Sequence, residues 1–415
     1  MIRNLELKRS AIVGWYRAIE NSAVLDYFIR SSIEITEALK TPIKYLDRVI
    51  TGYIRWNTAS EKLNSTAGQN SRVVYFNLRE NRYERYLYLL VKFFLLEGFT
   101  VCFKKSFRFI GDLEKYSLWL LKEPHVRFCS EIPADALLVI EDDNETGNTF
   151  ISSDYFTSMQ HLSTKNFHVP MAMHPYMYKD DYWNERLLDQ QRFKSIIFAG
   201  CLKREAYSRI SETACFDIRN RIELFDLLHH MNEFELPANL EALNDCMTHG
   251  KIVVVDRGRF SIPMNQLRSY LSKFEFFLAC PGVSMPYSHN IVEAMSCGCI
   301  PVIERSYAEL FIPSLINGAN ALIFEGNRES FYDILNQALR VNEAKVRKMR
   351  ESVFEYYRQY LTPEKVVRKI LEHPQNIFLN AEAYSVRKYR KMEKKMNREI
   401  PEKESLVPVL SVAIS

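Results

Sequence analysis

The chain has 415 residues, 47% hydrophobic and 26% charged, with a formal net charge of +4. That is long enough for two domains with a core each, and so mild a charge gives no ground for a nucleic-acid partner. The eight cysteines lack the spacing of a disulfide framework and read as reduced thiols in a cytosolic setting. Met1-Ile-Arg-Asn-Leu-Glu lacks the apolar core of a signal peptide. The run from Tyr86 to Leu96, interrupted by Lys92, is too short to span a bilayer. The reading is a soluble or peripheral protein.

Residues 1–70 read as a helical extension. Ile12, Trp15, Tyr16 and Ile19 recur at helical spacing, and the polar stretch Asn57 to Asn70 reads as a surface loop. The first strand is Arg72–Asn77. It leads through Leu78–Arg82 into a helix from Tyr83 to Glu97, ended by Gly98, and a second strand follows at Phe99–Phe103. A β-α-β opening of this kind belongs to a doubly wound domain, placed at 71–180. Further strands are expected at Val126–Cys129 and Ala136–Ile140. Glu141-Asp142-Asp143 ends the second of these, and a solvated turn is the reading preferred there over a metal site. Asp154, His161, His168 and His174 are the titratable residues near the last strand ends of this half.

A second α/β domain is placed at 181–375. Its strands are expected at Ser195–Gly200, Lys251–Asp256, Phe274–Cys280, Cys299–Ile303 and Ala321–Glu325. Gly200, Lys203 and Arg204 form a basic loop at the end of the first of them, and a helix runs from Asn220 to His229. After Cys280, Pro281-Gly282 stops the strand. The loop Val283–His289 leads into a helix from Ile291 to Cys297, and Gly298 ends it where positive φ is commonly needed. The helix N-terminus therefore stands at the carboxyl end of a parallel strand, where open α/β sheets take anionic ligands. Asn290 and Glu293 also fit a variant of the capping box. Cys297 and Cys299 read as small packing residues. Helices follow at Phe331–Arg340, Glu343–Tyr360 and from Thr362, as N-cap, with Pro363 at the first helical position. The segment 376–415 carries a basic helix, Tyr384–Arg398, whose charges are read as surrounding it rather than forming one stripe.

Cys280-Pro281-Gly282, Ser288, Glu293-Ala294-Met295 and Gly298-Cys299-Ile300-Pro301-Val302 resemble the donor-site signature of exostosin-type glycosyltransferases. More broadly the pattern is similar to the two-domain GT-B architecture, two Rossmann-like domains facing a cleft. The resemblance is specific over about thirty residues and architectural over the N-terminal half. It implies that Glu293 bonds the nucleotide ribose. It also implies that Gly282, Ser288, His289 and Asn290 belong to the donor site, where the helix N-terminus faces the diphosphate, and that Gly200, Lys203 and Arg204 meet the diphosphate from the preceding loop. A general base for inversion is expected from the N-terminal half, with Asp154, His168 and His174 as candidates. Retaining relatives often carry a glutamate where this chain has Met285, and exostosin-like proteins often carry an arginine where it has Asn290.

The resulting expectation is a metal-independent, inverting glycosyltransferase with no cofactor beyond a UDP- or GDP-linked sugar as co-substrate. The acceptor is expected to be a glycan or a lipid-linked glycan, the location cytoplasmic, with peripheral contact to an anionic membrane and no nucleic acid. The alternatives are a fucosyltransferase-like or retaining GT-B enzyme, and a non-catalytic sugar-nucleotide-binding scaffold.

Overall fold

The computed structural model describes residues 44, 46–58, 72–143, 148–208 and 215–399. The helices expected before residue 44, the loop 59–70 and the tail beyond 399 lie outside them. The chain divides into two compact units, Met1–Ser60 with Lys105–Leu113, and Glu61–Lys104 with Glu114–Ser415.

In the first unit residues 46–58 are helical, so Asn57 and Thr58 belong to a helix rather than to the expected loop. This helix packs on a second one, Phe107–Asp112. A Cβ at Gly52 would lie 1.7 Å from the Phe107 carbonyl oxygen, and one at Gly111 would lie 1.7 Å from that of Arg48. Only glycine allows backbones so close. The Arg55 guanidinium donates to the carbonyls of Ile110 at 2.9 Å and Leu113 at 2.7 Å.

The second unit holds two parallel sheets. The first contains β1 (Arg72–Asn77), β2 (Phe99–Lys104), β3 (Val126–Cys129), β4 (Ala136–Glu141), β5 (Thr149–Ser152) and β6 (Asn166–His168). The second contains β7 (Phe193–Gly200), β8 (Phe234–Glu235), β9 (Ile252–Asp256), β10 (Phe274–Leu278), β11 (Ile300–Glu304) and β12 (Leu322–Phe324). A thirteenth strand, β13 (Asn376–Phe378), enters the first sheet between β5 and β6. Every recorded pairing is parallel. The apolar runs explain why. All five residues of β10 and four consecutive residues of β1 are buried, as strands covered on both faces require. Even Glu275 of β10 is buried, against the Arg350 guanidinium.

The helices that position the site are α1 (Arg85–Leu96), α2 (Pro175–Lys179), α3 (Arg221–Leu228), α4 (His289–Ser296), α5 (Arg328–Arg340), α6 (Glu343–Tyr356), α7 (Pro363–Leu371) and α8 (Ala383–Glu399). Gly98, after α1, and Gly298, after α4, take φ of 77° and 80°. These are the left-handed helix ends that their places in the sequence imply. The helix expected to run from Glu343 to Tyr360 changes at Tyr357–Leu361 into a π-turn. Thr362 stands at the N-cap of α7, but its hydroxyl donates backwards to the Arg358 carbonyl.

In the second sheet the order is β12-β11-β10-β7-β9-β8. The chain reverses direction across the sheet between β10 and β9, on either side of β7. A crevice outside the carboxyl ends of the strands is expected at such a switch point.

Candidate functional site

The loops after β7 and β10 meet at that switch point, and α4 starts between them. Asn290, in the first turn of α4, donates from Nδ2 to the Ala199 carbonyl at the end of β7, 3.0 Å away. Ser288 is the N-cap, and its N–H donates to the Tyr307 hydroxyl at 2.9 Å. The loop between Gly282 and Tyr287 is so tight that a Cβ at Gly282 would sit 2.5 Å from the Tyr287 carbonyl oxygen. At the other end of α4, the Arg192 guanidinium donates to the Cys297 carbonyl, and Arg268 Nε donates to Ser296 Oγ at 3.0 Å. Two cations thus hold the negative end of the helix dipole, and its N–H end lies at the switch point.

The capping-box alternative is overturned. Asn290 and Glu293 lie inside α4, beyond the Ser288 cap, and neither bonds as a cap. Glu293 is 0% exposed. Its Oε1 accepts from His289 Nδ1 at 3.0 Å and from the His174 backbone N–H at 3.0 Å. Burial raises the Glu293 pKa, but the His289 ring and the His174 N–H outweigh it and hold the carboxyl below its ordinary value. Its second oxygen, Oε2, has no hydrogen-bond partner.

His174 arrives from the first sheet, following β6 and capping α2. Its ring stacks on Tyr176, with centroids 5.4 Å apart, and meets His289 edge-on at 5.0 Å. Its Nε2 lies 3.1 Å from the Tyr116 hydroxyl. Burial first, and His289 second, push its pKa down to about 4, so the ring is neutral near pH 7. Around Glu293 the two halves also touch through the Tyr86 hydroxyl, 3.5 Å from Met285 Sδ, and through Tyr287 against Tyr155 and Phe156.

The other two candidate bases are engaged elsewhere. His168 Nε2 lies 2.7 Å from Ser158 Oγ and its ring stacks on Phe378. Burial pushes its pKa to about 4. Asp154 pairs with Lys388 at 2.7 Å and accepts from Ser152 Oγ. His161 is exposed. The Glu141-Asp142-Asp143 turn is not simply solvated. Glu141 is buried and accepts from Asn77 Nδ2 at 2.7 Å and Asn148 Nδ2 at 3.0 Å. Asp142 accepts from the Arg79 N–H, and Asp143 pairs with the Arg79 guanidinium. Among the described residues no three metal-ligating side chains converge.

The basic loop after β7 divides. Lys203 is exposed, and Arg204 turns outward to Asp226 at 3.0 Å. The buried cation beside the start of α4 is instead Arg221, a residue the sequence reading passed over. Its guanidinium donates to the carbonyls of Cys201 and Pro281, each at 3.0 Å, and to Ser288 Oγ at 3.2 Å. It thereby ties the β7 loop, the β10 loop and the cap of α4 together. Gly200 makes room for it, since a Cβ there would meet Arg221 Nη1 at 3.1 Å and Phe198 Cζ at 2.6 Å. A signal was present: Arg221 opens α3 directly after the N-cap Asn220. A cation there opposes the helix dipole unless an anion is close.

Three side chains at the start of α4 are thus more than nine-tenths buried, and each has an unpartnered polar atom: Glu293 Oε2, Asn290 Oδ1 and Arg221 Nε. Buried polar atoms left this way cost about 1–3 kcal/mol each, so the cluster is unfavourable for folding by itself.

The exposed basic side chains of α8 are picked out by burial. Ser385 and Val386 are buried and Lys388 is held by Asp154. Tyr384, Arg387, Lys391, Lys394 and Lys395 are exposed, and their spacing puts them on one face. The exposed charge does form one stripe, which corrects the sequence expectation. No helix among the described residues is long and apolar enough to cross a membrane.

No protein-family model matches the chain, and no curated protein sequence matches it. Among solved structures the chain is similar to a glycosyltransferase from Rickettsia africae, at 10% identity and a TM-score of 0.42, over 73% of this chain and 97% of that one. It is similar also to Anabaena HepE in complex with UDP and glucose, at 10% identity and a TM-score of 0.37, over 73% and 99% of the two chains. A third similarity is to sucrose-phosphate synthase from Thermosynechococcus elongatus, at 10% identity and a TM-score of 0.37, over 79% and 100%.

Proposed function

We propose that this protein is a glycosyltransferase that moves a sugar from a UDP- or GDP-linked donor to a glycan or lipid-linked glycan. The observation that carries the reading is the group of unpartnered polar atoms on Glu293, Asn290 and Arg221, buried at the N-terminus of α4 on a topological switch point. Helix N–H groups and a guanidinium suit a diphosphate, and a carboxylate oxygen suits ribose hydroxyls. The sequence signature around this helix points to the same chemistry.

In the proposed reaction the acceptor hydroxyl attacks the anomeric carbon and the bond to the nucleoside diphosphate breaks. The leaving diphosphate gains charge in the transition state, where Arg221 and the first turn of α4 stabilise it. Inversion follows from a single displacement with a general base. Of the three candidate bases, His174 is the one set against the donor helix, neutral and in contact with the Tyr116 hydroxyl. Since the diphosphate meets fixed positive groups, no divalent ion is required in this reading.

Titration calorimetry with UDP, GDP and their sugar conjugates tests binding, and turnover of the bound sugar tests catalysis. Failure of every nucleotide to bind would overturn the reading. Binding without turnover against a panel of glycan acceptors would favour the scaffold alternative.

A further inference from the structure

A cavity of about 750 Å³ lies between the edge strand β6 and the π-turn Tyr357–Leu361. Its volume is that of a small-molecule site. It shares one wall with the donor loop, because Tyr287 lines it and the next residue, Ser288, caps α4. The proposed transfer uses none of its other lining groups.

Aromatic side chains form part of the lining. Tyr155, Tyr287, Tyr356 and Tyr360 all line it, and the last two rings are 4.9 Å apart. The Tyr287 hydroxyl is spent on the Leu310 carbonyl and that of Tyr356 on Pro313, 2.6 Å away. Both phenols are thereby fixed, and their side chains are buried in the wall of the cavity. Asn166, Gln359 and Gln375 also line it; Asn166 Oδ1 accepts from Asn376 Nδ2 at 2.9 Å and Gln359 Nε2 donates to Glu355 at 2.8 Å. A hydrocarbon ligand would strip water from the remaining donors and acceptors of these amides without replacing its hydrogen bonds. A sugar replaces them with hydroxyls and lays its C–H face on a ring.

The rim adds charge. Lys165, Lys365 and Lys369 line the cavity against a single carboxylate, Glu372. Lys369 pairs with Glu372 at 2.9 Å and Lys365 with Glu364 at 2.8 Å. Such surface pairs hold weakly, and a ligand anion can replace either carboxylate.

We propose that this cavity is a second ligand site, separate from the nucleotide site, that takes a saccharide carrying an anionic group. Tyr360 and Tyr356 hold the ring and Lys165 and Lys369 hold the charge. The full chain, saturated with UDP, is titrated with glucose 6-phosphate, glucuronate and glucose by calorimetry. One or both anions are expected to bind at least tenfold more tightly than glucose. The stronger of the two identifies phosphate or carboxylate as the group read. Lys165→Glu combined with Lys369→Glu is expected to weaken the anions at least tenfold, with UDP affinity and Tm unchanged. Tyr360→Ala is expected to weaken all three sugars. Equal affinity for glucose, displacement of the anions by UDP, or indifference to the lysine changes would each overturn the proposal.

Discussion

Glu293→Gln separates the functional account of α4 from a purely structural one. In the unliganded protein the carboxylate accepts two hydrogen bonds on Oε1, leaves Oε2 unpartnered and is fully buried. Glutamine keeps an oxygen for those donors. It weakens two charge-assisted bonds to neutral ones, at about 1 kcal/mol each. In the parent those contacts outweigh the burial of the carboxylate, so the variant should melt slightly lower than the parent. For the nucleotide the same change replaces a charge-assisted ribose contact, and about 1–2 kcal/mol is lost, roughly 5- to 30-fold in Kd. Calorimetry with UDP and GDP gives the affinity, and thermal melts without ligand give the stability. A markedly lower Tm with unchanged nucleotide affinity would refute the reasoning and make Glu293 a tie between the two halves.

Arg204→Ala should leave both Tm and turnover unchanged, since Arg204 turns outward to the exposed Asp226, and a markedly slower turnover would return Arg204 to the site. Arg221→Lys cannot span Cys201, Pro281 and Ser288 at once, so stability should fall by about 2–4 kcal/mol and the turnover number by more than affinity. His168 and His174 titrate near pH 4 in the folded chain against an ordinary 6.5, so each withdraws about 3 kcal/mol of stability as pH falls from 6.5 to 4. Glu304, pushed up to about 7 by burial, works the other way, adding stability as pH falls from 7 toward 4.5. Urea unfolding of His168→Gln at pH 7 and pH 5 should show a smaller loss between the two than the parent does, and an equal loss would refute this assignment. Transfer should persist in excess chelator and give the inverted anomer by proton NMR, and restoration by manganese after chelation would refute the metal-free reading. Vesicles containing phosphatidylserine should bind the protein in a salt-sensitive way through the α8 stripe, and neutral vesicles should not. Equal binding to both would remove the stripe from that role.

Much of this architecture was written in local pattern. Runs such as Val73–Phe76 and Phe274–Leu278 have one physical solution, a strand covered on both faces, and their continuous burial bears that out. Gly98 and Gly298 mark helix ends because only a residue without Cβ turns there cheaply. Signature residues 280–302 placed a helix N-terminus at a strand's carboxyl end. Tertiary structure alone decided which groups meet there. Arg204 and Arg221 both follow β7 in sequence, yet one faces Asp226 in solvent and the other is enclosed by the β7 loop, the β10 loop and the cap of α4. That choice depends on the close approach of β7, β10 and α4, contacts up to 91 residues apart, which no local periodicity encodes. For the same reason β13 was invisible: three residues with no alternation become a strand because β5 and β6 leave a place between them. His174 lies 119 residues from Glu293. Nothing in either segment names the other, and they become partners because the two sheets bring the segments after their strands together.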